Sequence, residues 1–104
     1  MSAMPIGRIT EICSGHTCWP PTIAIQGSSN VFAEMLPVHR VGDAYIPLCC
    51  PTPSGPQCHP VITARASPSV FTNNKATSHI GSSTGCSSMN IMITGAPTVW
   101  VEGQ

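Results

Sequence analysis

The chain has 104 residues, which is enough for one domain but too few for an apolar core alone to stabilise it well. Only 8% of its residues are charged and its formal net charge is zero, so it lacks the basic face that nucleic-acid binding needs. It shows no long apolar run typical of a membrane span and no secretory signal pattern. We expect one domain, residues 1–104, made in a reducing cytoplasm where thiols are more often ligands than disulfides.

Proline and glycine account for 11 and 9 residues, and both are unfavourable in helix interiors. Pairs of β-branched and aromatic residues lie instead between clusters of Gly, Pro, Ser and Asn, a pattern typical of short strands and turns. The sequence therefore predicts a small all-β domain of short hairpins.

In chain order, Pro5 to Ile12 reads as a short strand. The small-residue loop that follows carries two thiols and an imidazole, namely Cys13, His16 and Cys18. Further on, Val31-Phe32 leads through Glu34-Met35 into a returning strand, which predicts a hairpin.

A block of the chain is repeated, because residues 27–43 and 66–82 share a Val-Phe pair and a later Val/Ile-Gly at an offset of 39. In the second copy the hairpin connection is Asn73-Asn74, a pair that tolerates positive φ and suits a tight turn. Repeats of this kind indicate repeated structural units.

A third unit is divided between the two ends of the chain. Residues 95–101 match the first half of the repeat and residues 5–11 match the second half. If the two ends come together, the chain closes around an approximate three-fold axis. We therefore expect a cone of short antiparallel hairpins with pseudo-three-fold symmetry and irregular loops at its apex.

The stretch from Ile46 to Pro60 is the least regular part of the sequence, with three cysteines and one histidine among many prolines. Proline cannot donate to a ladder of hydrogen bonds, so this stretch cannot form a sheet interior. We expect a loop that is held in place by a metal or by disulfides.

Spacing brings candidate metal ligands to equivalent places in the three units. His16 follows Arg8 by eight residues, Cys49 follows Arg40 by nine and Cys86 follows His79 by seven. His59, from the proline-rich stretch, can reach the same point. Convergent His and Cys side chains are what a closed tetrahedral zinc site requires, so the candidate ligands are His16, His59, Cys86 and Cys49.

Disulfides are the alternative, since six cysteines in a short chain can form up to three of them. Cys13 with Cys18, and Cys50 with Cys58, are candidate pairs.

Two further histidines, His39 and His79, are secondary candidates for the fourth metal ligand.

Several segments, taken in order, resemble the PAAR-repeat family, the tip proteins of contractile injection machines. Pro37-Val38-His39-Arg40 is similar to the Pro-Ala-Ala-Arg that names the family, and 15–21, Gly-His-Thr-Cys-Trp-Pro-Pro, is similar to a segment of its phage and type VI branch. The resemblance covers nearly the whole chain. Ala76-Thr77-Ser78-His79 departs from the motif in the second copy.

The resemblance implies a cone whose base caps a trimeric β-helical spike, one tip per trimer, and whose apex holds one structural metal ion, usually zinc, by three His and one Cys. By position it gives His16, His59 and Cys86 as ligands. The remaining family histidine falls at Leu48, which cannot ligate, and the neighbouring Cys49 is our substitute.

The expected function is therefore structural: a phage tail tip, made in the cytoplasm, that makes transient contact with the target cell envelope. A type VI secretion tip, exported with its spike, and a disulfide-stapled binding module are the alternatives. We expect no enzyme, because catalytic zinc needs a nearby general base and carboxylates are scarce. Three equivalent aromatics, Phe32, Phe71 and Trp100, are expected to pack in the core or against their hairpins rather than contact a partner.

Overall fold

The computed structural model describes residues 3–86 and 89–103. These residues form no helix, and hence none that could cross a membrane. They form four two-stranded antiparallel sheets, which confirms the all-β prediction. The eight strands are β1 Ala3–Pro5, β2 Phe32–Ala33, β3 Leu36–Pro37, β4 Ala44–Thr52, β5 Gly55–Ile62, β6 Phe71–Thr72, β7 Lys75–Ala76 and β8 Trp100–Glu102.

Two of the sheets are the hairpins that the repeat predicts. β2 pairs with β3 through Glu34-Met35, and β6 pairs with β7 through Asn73-Asn74. All four turn residues have positive φ, between 48° and 73°. Positive φ at both central residues is the geometry that matches the twist of a two-residue hairpin, and asparagine adopts it more readily than Glu or Met.

The two ends of the chain form a third pair of strands. β1 pairs with β8 so that Pro5 lies opposite Trp100. Phe32 lies opposite Pro37 and Phe71 lies opposite Ala76 in the same way. The split unit therefore pairs in the register of the two continuous hairpins.

Segments 5–11, 37–43 and 76–82, here called the ring segments, are joined by backbone hydrogen bonds in a closed circuit. Gly7 N donates to Ser78 O at 2.8 Å, Ser78 N to His39 O at 3.0 Å, and His39 N to Gly7 O at 3.0 Å. A second circuit runs in the opposite direction, because Ile9 N donates to Pro37 O, Val41 N to Ala76 O and Ile80 N to Pro5 O. Each ring segment thus contacts both of the others.

The apolar core consists of two clusters. One lies among the hairpins and the ring segments and contains Ile6, Ala33, Val38, Ala96 and Val101. The other contains Cys13, Ala24, Tyr45, Leu48, Val61 and Met92, with Trp19 packed against it. The second cluster supports the region in which the candidate ligands lie.

The equivalent aromatics are exposed, which corrects the expectation that they pack in the core. Phe32, Phe71 and Trp100 expose 56%, 61% and 55% of their surface. Successive residues of a strand face opposite sides, and in each pair the neighbouring residue is the buried one: Ala33, Thr72 and Val101. The aromatic side chains therefore face outward from all three hairpins.

The proline-rich stretch is also not the loop that we expected, because it forms the longest hairpin, β4 with β5. A two-stranded ribbon has two free edges, so prolines such as Pro51 and Pro56, which lie opposite each other, need not donate into a ladder. His59 accordingly projects from a strand rather than from an irregular loop.

Candidate metal centre

His16, His59 and Cys86 come together in the structure, with one ligand atom from each lying within 4.8 Å of the others. Bond lengths of roughly 2.0–2.3 Å around a tetrahedral zinc ion place ligand atoms about 3.5 Å apart. The group therefore needs a contraction of only about 1 Å to bind an ion, and it can hold one.

A tight turn positions His16. The backbones of His16 and Trp19 hydrogen-bond to each other in both directions, at 3.0 and 2.8 Å, and Thr17 between them has a φ of 47°. Gly15 precedes the turn with a φ of 74°, and a Cβ there would lie 2.4 Å from the Trp19 carbonyl oxygen. Only glycine allows this close return of the chain.

His59 projects from β5 directly opposite Leu48 of β4. Its Nδ1 lies 3.2 Å from the Pro60 carbonyl oxygen, which can only accept a hydrogen bond. The neutral ring therefore carries its proton on Nδ1 and presents a lone pair on Nε2. The Nε2 atoms of His16 and His59 are both buried without a hydrogen-bond partner. Buried polar atoms without partners are costly, and a shared ion would satisfy both.

Cys86 lies at the surface, with its sulfur near two polar groups. Thr84 Oγ1 is 3.1 Å from Sγ, and Asn90 Nδ2 is 3.8 Å from it. Asn90 is fully buried, and its Oδ1 accepts a hydrogen bond of 2.8 Å from Gly15 N. One amide thus joins the His16 turn to the cysteine.

Trp19 covers one side of the site. Its ring centroid lies 4.9 Å from those of His16 and His59, which are themselves stacked 5.3 Å apart. Its indole N–H donates to the Gln57 carbonyl oxygen at 3.2 Å, so the ring is fixed to β5. Sequence reasoning did not assign roles to Trp19 or Asn90. Trp19 lies within the segment that suggested His16, whereas nothing in the sequence marks Asn90.

The prediction of Cys49 as the fourth ligand is wrong, because Cys49 forms a disulfide with Cys58 and has no thiolate to offer. The two secondary candidates also lie outside the group. Both ring nitrogens of His39 are hydrogen-bonded, to Gln26 O at 2.8 Å and Thr63 Oγ1 at 2.7 Å, and burial lowers the pKa of His39. His79 belongs to a ring segment and bonds the Ile80 carbonyl through Nδ1.

The disulfides differ from the predicted pairs. Cys18 bonds to Cys50 rather than to Cys13, and Cys13 is free and buried. Cys50 is two residues beyond Leu48 on β4, so it faces the same side as Leu48 and His59. The Cys18–Cys50 disulfide therefore joins the His16 turn to the hairpin that carries His59. A candidate metal-binding group and disulfides, first treated as alternatives, coexist in this structure.

All four carboxylates are engaged with other groups. Glu11 lies 2.6 Å from Arg8, and Asp43 lies 2.8 Å from Arg40. Glu34 lies 3.6 Å from Arg8, and Glu102 accepts a hydrogen bond from Ser69. Among the described residues, the metal-binding group contains no Asp or Glu.

Neither the protein-family models nor the curated proteins include a match to this chain. The site is therefore interpreted from its geometry and from the sequence resemblance alone.

Proposed function

We propose that this chain is the metal-pinned tip of a contractile injection machine and caps a trimeric β-helical spike as one tip per trimer. The observation that carries the proposal is the closed circuit of hydrogen bonds among the three ring segments. Equivalent residues bond in turn, as expected for segments related by an approximate three-fold axis. A single chain with such an axis can present the same contacts to three identical spike chains.

The three exposed aromatics are the proposed contacts with the spike. Phe32, Phe71 and Trp100 occupy equivalent positions in three strand pairs and all face outward. Burying one such side chain contributes about 1.5–3 kcal/mol, so three of them can anchor a stable cap without charged contacts.

A structural ion suits this role better than a catalytic one. A metal bound by His16, His59 and Cys86 would join three segments that are distant in sequence, and so stiffen a domain with a small core. Hydrolysis at zinc needs a general base, and the carboxylates are paired with other groups. The tip would act in a virion tail, or be exported with a type VI spike, and touch the target envelope only transiently.

Co-purification with the trimeric spike of the same machine tests the proposal. We expect one tip per spike trimer by native mass spectrometry. Changing Phe32, Phe71 and Trp100 together to serine should abolish capture, whereas Ile25→Ser, which alters another exposed apolar residue, should not. Equal capture of the triple variant, or three tips per trimer, would contradict the proposal.

A disulfide-stapled binding module is the second candidate, and the two disulfides favour it. Such a module would keep its thermal stability after metal is removed with a chelator. A metal-pinned tip would lose stability, because metal binding to the folded state adds to folding free energy.

A further inference from the structure

We propose that the metal held by His16, His59 and Cys86 keeps an open coordination position that takes one small monodentate anion. This inference rests on the proposed metal binding and concerns what completes the site. Three protein donors are present, whereas a closed structural zinc site has four. A site with three protein donors leaves its fourth position to an exogenous ligand.

Four of the other cysteines cannot supply a fourth thiolate, and Cys13, His39 and His79 lie outside the group. Cys18, Cys49, Cys50 and Cys58 form disulfides. The group that meets around the site within residues 3–86 and 89–103 contains no fourth His, Cys, Asp or Glu. Leu48, directly opposite His59, is fully buried and apolar.

Charge selects an anion for the open position. A divalent ion bound by one thiolate and two neutral imidazoles keeps a net charge of about +1. The three stretches that supply the ligands, 12–33, 44–64 and 76–101, contain no Asp, Glu, Lys or Arg. No neighbouring carboxylate from these stretches can therefore balance the charge. A bound anion neutralises it directly, and the effect is stronger where water is excluded.

Access to the site is from the Cys86 side. The Trp19 ring lies tilted against both imidazoles and packs against the core cluster that contains Leu48, so that side is covered. Cys86 lies at the surface. A small monodentate ligand can enter beside the sulfur, whereas a bulky chelating ligand would have to displace Trp19.

The Co²⁺-loaded protein tests the inference, with azide as the probe. We expect azide to shift the visible absorption of the bound Co²⁺ saturably, with one azide per metal, while Trp19 fluorescence quenching shows that the metal stays bound. X-ray absorption of the zinc form should show one sulfur, two imidazoles and one exchangeable light donor.

A gain-of-ligand variant is the matched control. Residues directly opposite on paired strands have Cβ atoms about 4.5–5.5 Å apart, so Leu48→His would place a third imidazole beside His59. We expect its Co²⁺ spectrum not to respond to azide, whereas Leu48→Val should respond like the parent. Should Leu48→His fail to fold, the parent protein alone decides.

The possible results distinguish failure of the open coordination position from failure of metal binding itself. If Co²⁺ binds but azide leaves the parent spectrum unchanged, or if X-ray absorption finds four protein donors, the open position is refuted and the metal site stands. If Co²⁺ does not bind to the parent protein, both are refuted.

Discussion

Two buried polar side chains hold neighbouring groups in place by hydrogen bonds. Asn90 bonds Gly15 on the His16 turn and approaches the sulfur of Cys86, so it joins two of the three ligands. His39 plays a comparable part in the ring segments, where its ring bonds Gln26 and Thr63. Neither residue is a metal ligand, and both act by holding other groups in place.

Asn90→Ala should lower zinc affinity by about 10–100-fold, as loss of a residue that orients ligands typically does. The change also leaves the Gly15 amide without its acceptor, at a cost of about 1–3 kcal/mol. Competition with a chromogenic chelator measures the affinity. Asn74→Gly, at an exposed turn with a φ of 66°, is the control and should bind zinc normally. Equal affinities for the two variants would show that Asn90 has no positioning role.

His39 should make the metal-free protein less stable in acid. Burial lowers its pKa, so the unfolded chain takes up a proton at a higher pH than the folded protein does. The free energy of unfolding should therefore fall as pH drops below the ordinary histidine pKa of about 6.5, by up to about 1.4 kcal/mol per pH unit, until the folded pKa is reached.

Urea unfolding in chelator at pH 7.5 and pH 5 measures the effect. The His39→Gln variant, which keeps hydrogen-bonding capacity but cannot titrate, should lose less stability between the two pH values. An unchanged difference would mean that other groups account for the acid sensitivity.

At the scale of elements, the β4–β5 hairpin and the His16 turn are the parts that carry the site, and the two disulfides act on them differently. Cys18–Cys50 joins the turn to β4 and closes 32 residues, whereas Cys49–Cys58 links adjacent positions within one hairpin and closes 9. Both bonds restrict the unfolded chain, but only the first connects two ligand-bearing elements.

Replacing Cys18 and Cys50 together by serine should therefore lower the free energy of unfolding more than replacing Cys49 and Cys58 does. The difference in loop-closure entropy corresponds to about 1 kcal/mol in the free energy of unfolding. Zinc affinity should fall in the Cys18/Cys50 double variant and change little in the Cys49/Cys58 double variant. Comparable zinc affinities in the two double variants would show that the Cys18–Cys50 bond does not position the site.

These elements also show which parts of the fold could be predicted from the sequence. The Asn73-Asn74 turn was predictable because its residues tolerate positive φ, and the repeat then located the Glu34-Met35 turn. The β4–β5 hairpin was not predictable, because its prolines disfavour strand pairing unless the partner strand and the free edges are known. Cysteine pairing depends on the distances between Cα atoms, which spacing alone does not give.

On the scale of the whole molecule, the sequence repeat predicts which segments are equivalent, whereas contacts between residues distant in sequence are seen only in the folded chain. The repeat indicated which segments are equivalent, and spacing located His16 and Cys86. Spacing could not exclude Cys49 as a ligand, because it does not show that Cys49 faces Cys58 across the hairpin and bonds to it. The hydrogen bonds that close the ring segments join residues distant in sequence, and they bring Trp100 opposite Pro5.

The central claim is that one chain brings an imidazole from its first part, one from its middle and a thiolate from its last part onto a single ion. Native mass spectrometry of protein purified without added metal tests this most directly. We predict one zinc ion per chain together with two disulfides, and loss of the zinc in Cys86→Ser with both disulfides retained. Metal-free protein, or zinc that is still bound when Cys86 is replaced, would contradict the account.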